Sequence, residues 1–141
     1  MIRRIHILGG SGSGTTTLGK VLSKKLGYNH LDTDRYIFTN MPPMKRKLRT
    51  PQERNNLLFK DLKKNSSWVL SGTFHPWGNF LIEFLDLVVF LWIPHETRMK
   101  RRIKRDVKLY GKEILDPDHF FYKRYILFSF FIDYKYNFYY A

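Results

Sequence analysis

The chain has 141 residues, contains no cysteine and carries a formal charge of +13 at pH 7. This length is typical of one domain, and the lack of cysteine excludes disulfides, thiolate zinc sites and thiol catalysis. So large a positive charge attracts anionic partners, which include nucleotides, nucleic acids and acidic membrane surfaces. No stretch reaches the ~18 uninterrupted apolar residues of a membrane helix, and the N-terminal apolar run is too short for a signal peptide. We therefore expect a cytoplasmic protein without a membrane span.

Hydrophobic periodicity predicts that strands and helices alternate along most of the chain. In chain order the predicted elements are the strand RRIHILGG, the helix TTTLGKVLSKKLG, the strand YNHLDTD, the helix PQERNNLLFKDLKK, the strand SWVLSG, the short helix or turn NFLIEFLD, the strand DLVVFLWI and the helix HETRMKRRIKRDVKLYG. This alternation predicts an α/β fold in which helices cover the faces of a parallel sheet.

The same patterns predict which faces are buried. The first helix is expected to pack through Leu18, Val21, Leu22 and Leu26, and the last through Met99, Ile103, Val107 and Tyr110. The opposite, basic face of the last helix carries Arg98, Arg101, Arg102 and Arg105. The continuous apolar run DLVVFLWI is typical of a strand buried on both faces. Thr50, Pro51 and Glu53 predict a capping box at the start of the second long helix.

A glycine-rich loop, GGSGSGTT, joins the first strand to the first helix. Gly9 and Gly14 have the spacing of a phosphate-binding loop and Thr16 occupies its hydroxyl position, but Thr15 stands where that loop has lysine. A strand, a glycine turn and a helix N-terminus together form an anion site. The alternatives are a plain turn and a dinucleotide fingerprint. The fingerprint needs a third glycine at position 15, so it is disfavoured.

The stretch GGSGSGTTTLGKVLSKKLGYNHLDTDRY resembles the start of the small P-loop kinases, the group of shikimate, gluconate and adenylate kinases. It is most similar to an uncharacterised branch described as adenylate-kinase-like or as topology modulation proteins, which often has threonine at the lysine position. The resemblance implies a three-layer P-loop NTPase fold over residues 1–113. It also implies ATP and Mg²⁺ as ligands, and transfer of the γ-phosphoryl group to a small hydroxyl or a nucleoside monophosphate acceptor.

The resemblance also implies roles for individual residues. Those expected to bind phosphate are Gly9, Gly12, Ser13, Gly14, Thr15 and Thr16. Thr16 and Asp32 are expected to support the metal, and Asp34, Arg35, Ser71 and Gly72 the acceptor. In the resembled kinases a lid following the last predicted helix brings arginines onto the phosphates, which implies catalytic roles for Arg102 and Arg105 beside Asp34. Less specific expectations place His75 and Trp77 in the acceptor pocket and the basic segment Lys45, Arg46, Lys47 and Arg49 near an anionic acceptor.

Thr15 and the C-terminal region depart from the family pattern. A neutral hydroxyl in place of lysine loses a charge-assisted hydrogen bond, so we expect nucleotide binding to survive and catalysis to weaken. Residues 114–141 form an aromatic tail, since 12 of the 24 Phe, Trp and Tyr residues lie in 120–141. The tail is a lid remnant at the end of a truncated domain, a substitute strand over YILFSFFID, or a membrane-surface or partner segment; the first two are favoured.

Two other functions stay open from the sequence. A P-loop protein with little catalysis is one. A basic nucleic-acid-binding protein is the other. Eight of the 25 Lys and Arg residues lie in 41–64 and eight in 98–112, whereas 65–97 contains none. These basic segments are either solvated helix faces or arms over an anionic ligand. The charged face of the last helix lacks interleaved aromatics, which disfavours nucleic acid.

Overall fold

A computed structural model describes residues 1–41, 47–74, 78–120, 122–123 and 125–126 of the chain. The strands are β1 (Arg4–Leu8), β2 (Asn29–Asp32), β3 (Trp68–Ser71) and β4 (Leu87–Phe90). The α-helices are α1 (Thr15–Leu26), α2 (Thr33–Ile37), α3 (Pro51–Lys64) and α4 (His95–Tyr110), with 3₁₀ helices at Asn79–Phe84 and Lys112–Leu115. Every strand and helix predicted up to residue 111 is present, and α2 and the 3₁₀ helix at Lys112–Leu115 are elements that the sequence did not indicate.

The four strands form one parallel sheet in the order β2-β3-β1-β4. Parallel pairing places the carboxyl ends of β1, β2 and β3, which are Leu8, Asp32 and Ser71, at one edge of the sheet. The α/β fold class with a parallel sheet is confirmed.

Local signals explain where the helices begin and end. Gly14 and Gly27 flank α1 with φ values of 98° and 69°, which only glycine adopts readily. At the start of α3, Thr50 accepts a hydrogen bond from the Glu53 backbone N–H, and the Glu53 carboxylate accepts one from the Thr50 backbone N–H. This capping box is the predicted one.

The chain divides into two compact units. One comprises Met1–Gly9 and Gly14–Leu91, and the other comprises Gly10–Ser13 and Trp92–Ala141. The core of the first unit lies on the sheet and includes Leu31, Leu58, Trp68, Leu70 and Leu81. The division at 113 predicted from the resemblance stays a prediction.

The predicted packing face of α1 is right for Leu22, which packs against the cluster of Ile5, Ile7 and Val69, and wrong for the other three residues. Gly19 and Ser23 are the buried residues of the helix, whereas Leu18, Val21 and Leu26 are exposed. The reason is that the backbone of α1 lies very close to His30 of β2: a Cβ on Gly19 would lie 2.7 Å from His30 Nε2. A small residue therefore lets α1 sit against the sheet, which a hydrophobic stripe does not reveal.

The expectation that DLVVFLWI is buried on both faces is also wrong. Val88 and Phe90 are 53% and 47% exposed. In the part of the chain that the structure describes, β4 is the edge strand and pairs with β1 alone.

The predicted faces of α4 are reversed in part. Its buried residues are Arg98, Arg102 and Asp106, and Ile103 is exposed. Arg102 Nε lies 3.6 Å from Asp106 Oδ2, so the buried guanidinium faces a buried carboxylate. A charge count along the helix cannot anticipate this compensation.

Of the proposed strand YILFSFFID, Tyr125 and Ile126 are helical, and its other residues lie outside the described ranges. No helix of the described residues is long and apolar enough to cross a membrane.

Candidate functional site

The loop after β1 has a backbone path that depends on glycine. Gly12 and Gly14 have φ values of 83° and 98°, and the Ser13 N–H donates to the Gly10 carbonyl across 3.0 Å. Gly14 is the N-cap residue of α1, which receives no side-chain cap. Among the described residues, the N-cap therefore supplies no side-chain acceptor to the first N–H groups of α1, which lie at the positive end of the helix dipole.

Thr16 connects the start of α1 to the end of β2. Its hydroxyl donates to Asp32 Oδ2 across 2.9 Å, in a partly buried setting. The other carboxylate oxygen, Oδ1, accepts the Asp34 backbone N–H across 3.0 Å. Because the Thr16 proton points to Asp32, the lone pairs of its oxygen remain for a cation. The structure thus brings together two residues that lie 16 positions apart and that the resemblance assigned to metal binding.

Asp34 falls within the predicted strand YNHLDTD, but that strand ends at Asp32 and Asp34 is helical. Asp32 is the N-cap of α2, and Asp34 lies in its first turn, where it is exposed. The two carboxylates are therefore related by a helix cap. Asp32 accepts hydrogen bonds from the Asp34 backbone N–H and the Thr16 hydroxyl, and Asp34 is exposed to solvent.

Ser71 and Gly72 are held by two histidines. Ser71 is fully buried and its hydroxyl lies 2.9 Å from His30 Nε2. The Gly72 carbonyl accepts a hydrogen bond from His6 Nε2 across 2.7 Å, and the His6 ring packs against Phe74. Burial lowers the pKa of both histidines below its usual value, so the neutral ring is favoured at each position. Neither His6 nor His30 was predicted as a site residue, because neither belongs to a recognised motif.

The two described arginines near α2 have different environments. The Arg35 side chain is 70% exposed and lies 3.9 Å from Asp61, which leaves it accessible to a ligand. Arg49 donates to the carbonyls of Arg35, Tyr36 and Phe38. It therefore caps the C-terminal end of α2 and has a structural role. Lys47 is exposed, and the predicted residues Lys45, Arg46, His75 and Trp77 lie outside the described residues.

The two predicted catalytic arginines share one carboxylate in the second unit. Arg102 is 1% exposed and faces Asp106. The Arg105 side chain is 55% exposed, and its Nη2 lies 2.9 Å from Asp106 Oδ1. The Tyr125 hydroxyl also donates to Asp106, across 3.2 Å. Asp106 is the residue that the sequence analysis missed here. Of the two arginines, Arg105 is the one with a solvent-accessible guanidinium.

Two observations test whether the loop fits a polyphosphate and Mg²⁺. Ser13 Oγ is buried in the loop and has no hydrogen-bond partner among the described residues, which fits a loop completed by ligand oxygens. No three His, Asp or Glu side chains within the described ranges gather as a metal site. A Mg²⁺ held by Thr16 and Asp32 would thus take further ligands from phosphate and water, as this ion usually does.

Comparison with known proteins agrees with this geometry. The family model described as an AAA domain matches residues 5–116. The uncharacterized protein YqaC of Bacillus subtilis (strain 168) is 49% identical over 115 residues, which are 82% of this chain and 63% of that protein. This chain thus spans less than two thirds of the length of that relative. A shikimate kinase from Acinetobacter baumannii, solved in complex with shikimate, superposes with a TM-score of 0.53 at 20% identity over 84% of this chain and 69% of that one. The chain belongs to the AAA domain family of P-loop NTPases and has a kinase-like fold.

Proposed function

We propose that this protein binds a nucleoside triphosphate with Mg²⁺ through the loop Gly9–Thr16 and transfers the γ-phosphoryl group to a small hydroxyl compound or a nucleoside monophosphate. The observation that carries the proposal is the hydrogen bond between Thr16 and Asp32 at the end of a glycine loop. This contact joins the two residues whose oxygens suit Mg²⁺ at the start of a helix whose N–H groups suit phosphate.

The chain supplies three kinds of group to this reaction. Gly12 and Gly14 provide backbone N–H groups for the phosphates and Ser13 provides its hydroxyl. Thr16 and Asp32 would hold the metal ion, which neutralises charge on the phosphate oxygens when bound. The exposed carboxylate of Asp34 orients the acceptor hydroxyl and takes its proton. A bond then forms between the acceptor oxygen and the γ-phosphorus, while the bond from that phosphorus to the bridging oxygen breaks and the nucleoside diphosphate leaves.

The acceptor side is proposed on groups at the carboxyl ends of β2 and β3, namely the exposed Arg35, the half-buried Gly72 and the buried Ser71. Arg35 offers a guanidinium fork for an anionic acceptor. Gly72 offers backbone held in place by His6 and by its own N–H, which donates to the Ile7 carbonyl across 3.0 Å. Ser71 supports the acceptor site without touching the acceptor, since its hydroxyl is buried against His30.

Thr15 favours a second candidate, a nucleotide-binding protein with slow turnover. A lysine at this position contacts the β- and γ-phosphates as a point charge. Its loss removes a charged hydrogen bond of about 1.5–3 kcal/mol from binding. The transition state carries charge on the transferred oxygens, and a missing donor there costs about 10²–10³ in rate.

The test measures MgATP affinity by calorimetry and ATP consumption with nucleoside monophosphates and small hydroxy acids as acceptors. Thr15→Lys is measured in parallel, with Thr17→Lys as the matched control. Thr17 lies in the same turn of α1, is exposed, and gains the same charge. Activity in the natural chain supports the kinase. Activity in Thr15→Lys alone supports the slow or inactive binder. Absence of nucleotide affinity in every variant contradicts both proposals.

The finer resemblance to topology modulation proteins adds nucleic-acid binding as a further proposal. Its support is the charge of +13. Duplex DNA titrated at 50 mM and 200 mM salt tests it. Binding that competes with ATP would place both ligands on the loop.

A further inference from the structure

We propose that Arg98 is a positioning residue that sets the conformation of the nucleotide loop from the side opposite the bound phosphates. The inference rests on the proposed nucleotide binding by this loop. It concerns residues Gly10–Ser13 and α4, which belong to the same compact unit.

Arg98 is 9% exposed, and its side chain donates to two backbone carbonyls. Its Nη1 donates to the Ser11 carbonyl across 3.2 Å, and its Nε donates to the Ile93 carbonyl across 3.1 Å. Its Nη2 lies 3.4 Å from His95 Nδ1, which accepts because a guanidinium has no acceptor. One planar group thus joins the loop to the segment that leads into α4.

Two glycines of the loop make room for this arginine. A Cβ on Gly10 would lie 2.5 Å from Arg98 Nη1. A Cβ on Gly12 would lie 2.4 Å from the Arg98 backbone oxygen. Glycine is therefore needed at both positions to leave space for Arg98 as well as for a phosphate. The sequence alone indicates only the need for space beside a phosphate.

The contact with Ser11 has a consequence for the next N–H group. A trans peptide unit is planar, and its C=O and N–H point in opposite directions. Because the Ser11 carbonyl points to Arg98, the Gly12 N–H of the same peptide unit points away from Arg98. That is the orientation a donor needs if the phosphates lie on the other side of the loop. Arg98 therefore acts through Gly12, without contact with the nucleotide.

The experiment compares Arg98→Met and Arg98→Lys with the natural chain. Lys100→Met is the matched control, because Lys100 is exposed on the same helix and its loss changes the net charge equally. MgATP affinity is measured by calorimetry under conditions where urea titration shows each variant to be folded. The second readout is the ¹⁵N shift of the Gly12 amide on addition of MgATP, in glycine-labelled protein.

We expect Arg98→Met to bind MgATP about tenfold or more weakly, as the loss of a charged hydrogen bond predicts. The Gly12 amide is expected to lose its response to MgATP, Arg98→Lys to fall between, and Lys100→Met to match the natural chain. A folded Arg98→Met that keeps both affinity and the Gly12 response overturns the inference. So does an equal loss in Lys100→Met, which would show an effect of net charge alone.

Gly10→Ala keeps the test decisive if Arg98→Met does not fold. The new methyl group would meet the flexible end of the Arg98 side chain, so the fold survives while the contact with Ser11 is displaced. The same loss of affinity and of the Gly12 response is expected, and an unchanged Gly12 response contradicts the proposal. Failure of the natural chain to bind MgATP is a different result, which overturns the proposed function itself.

Discussion

Replacement of Thr16 by valine tests the contact on which the proposed metal site depends. Valine keeps the volume and the β-branch of threonine and removes the hydroxyl that donates to Asp32 Oδ2 across 2.9 Å. A hydrogen bond to a charged group contributes about 1.5–3 kcal/mol. Asp32 is only partly buried and keeps the Asp34 N–H, so water and that donor limit the penalty. We therefore expect the free energy of unfolding to fall by about 1–2 kcal/mol.

Urea titration of the natural chain, Thr16→Val and Thr16→Ser measures this change. With a typical urea slope, a loss of about 1–2 kcal/mol moves the midpoint down by roughly 0.5–1.5 M. Thr16→Ser keeps the hydroxyl and is expected to stay near the natural value. Combining Thr16→Val with Asp32→Asn completes a double-mutant cycle, in which the two changes are expected to be non-additive by about 1 kcal/mol.

The same variants test whether Thr16 and Asp32 bind Mg²⁺. If Thr16 and Asp32 hold Mg²⁺, the natural chain binds ATP more tightly with Mg²⁺ than with EDTA, and Thr16→Val removes most of that difference. ATP affinity in EDTA is expected to change little, because the loop N–H groups remain. Additive effects in the cycle, together with an unchanged Mg²⁺ dependence in Thr16→Val, would refute the reasoning.

Three further predictions concern stability and are read from urea midpoints. Burial lowers the pKa of His6 below its usual 6.5, so around and below that pH the unfolded chain binds more protons than the folded one. The contribution of His6 to stability is therefore full above pH 6.5 and is lost as the pH falls towards the folded-state pKa. We expect His6→Gln to reduce this pH dependence between pH 7.5 and 5.5. Gly27 and Gly72 both have positive φ, so alanine at either position costs about 1–2 kcal/mol in backbone strain. A Cβ on Gly72 would also clash with Thr33 Oγ1, whereas a Cβ on Gly27 meets nothing within 4 Å. We therefore expect Gly72→Ala to lower the free energy of unfolding by more than Gly27→Ala, and equal losses would contradict this. Tyr36→Phe removes a buried hydroxyl that donates to Asp61 across 2.9 Å and is expected to cost about 1–2 kcal/mol. An unchanged midpoint would show that water replaces that bond.

The parts of the fold that the sequence predicted depend on neighbouring residues. Thr50 and Glu53 satisfy each other's backbone partners within one helical turn, so the start of α3 could be read directly. Gly14 and Gly27 mark the ends of α1 because their φ values exclude most side chains. The parallel sheet followed from the alternation of elements, whereas its strand order did not. The glycine loop and Asp32 could be predicted because each combines a sequence motif with the end of a predicted strand.

The parts that could not be predicted depend on contacts that hydrophobic periodicity does not encode. The burial of Arg98 depends on the Ser11 carbonyl, 87 positions away, and that of Arg102 on a carboxylate one helical turn on. A helical plot assigns every arginine to solvent, since it contains no information on such partners. The edge position of β4 likewise depends on which strands pair with it, and its apolar composition alone indicates a central strand. Asp34 was misplaced because α2, a helix of five residues, is too short to show a period.

Thr15 and Arg98 together bear on whether the loop binds a nucleotide without turning it over. Arg98 brings a positive charge to the loop, and its donors engage the carbonyls of Ser11 and Ile93. A charge held in this way supports the ground state, because it orders backbone donors, but it does not follow the oxygens of a transferred phosphoryl group. A lysine at position 15 has a flexible ammonium that does. Interactions that strengthen only in the transition state raise the rate and leave affinity little changed. Thr15→Lys is therefore expected to raise kcat by a larger factor than it tightens MgATP binding, and an equal gain in both would show that the missing lysine matters for binding alone.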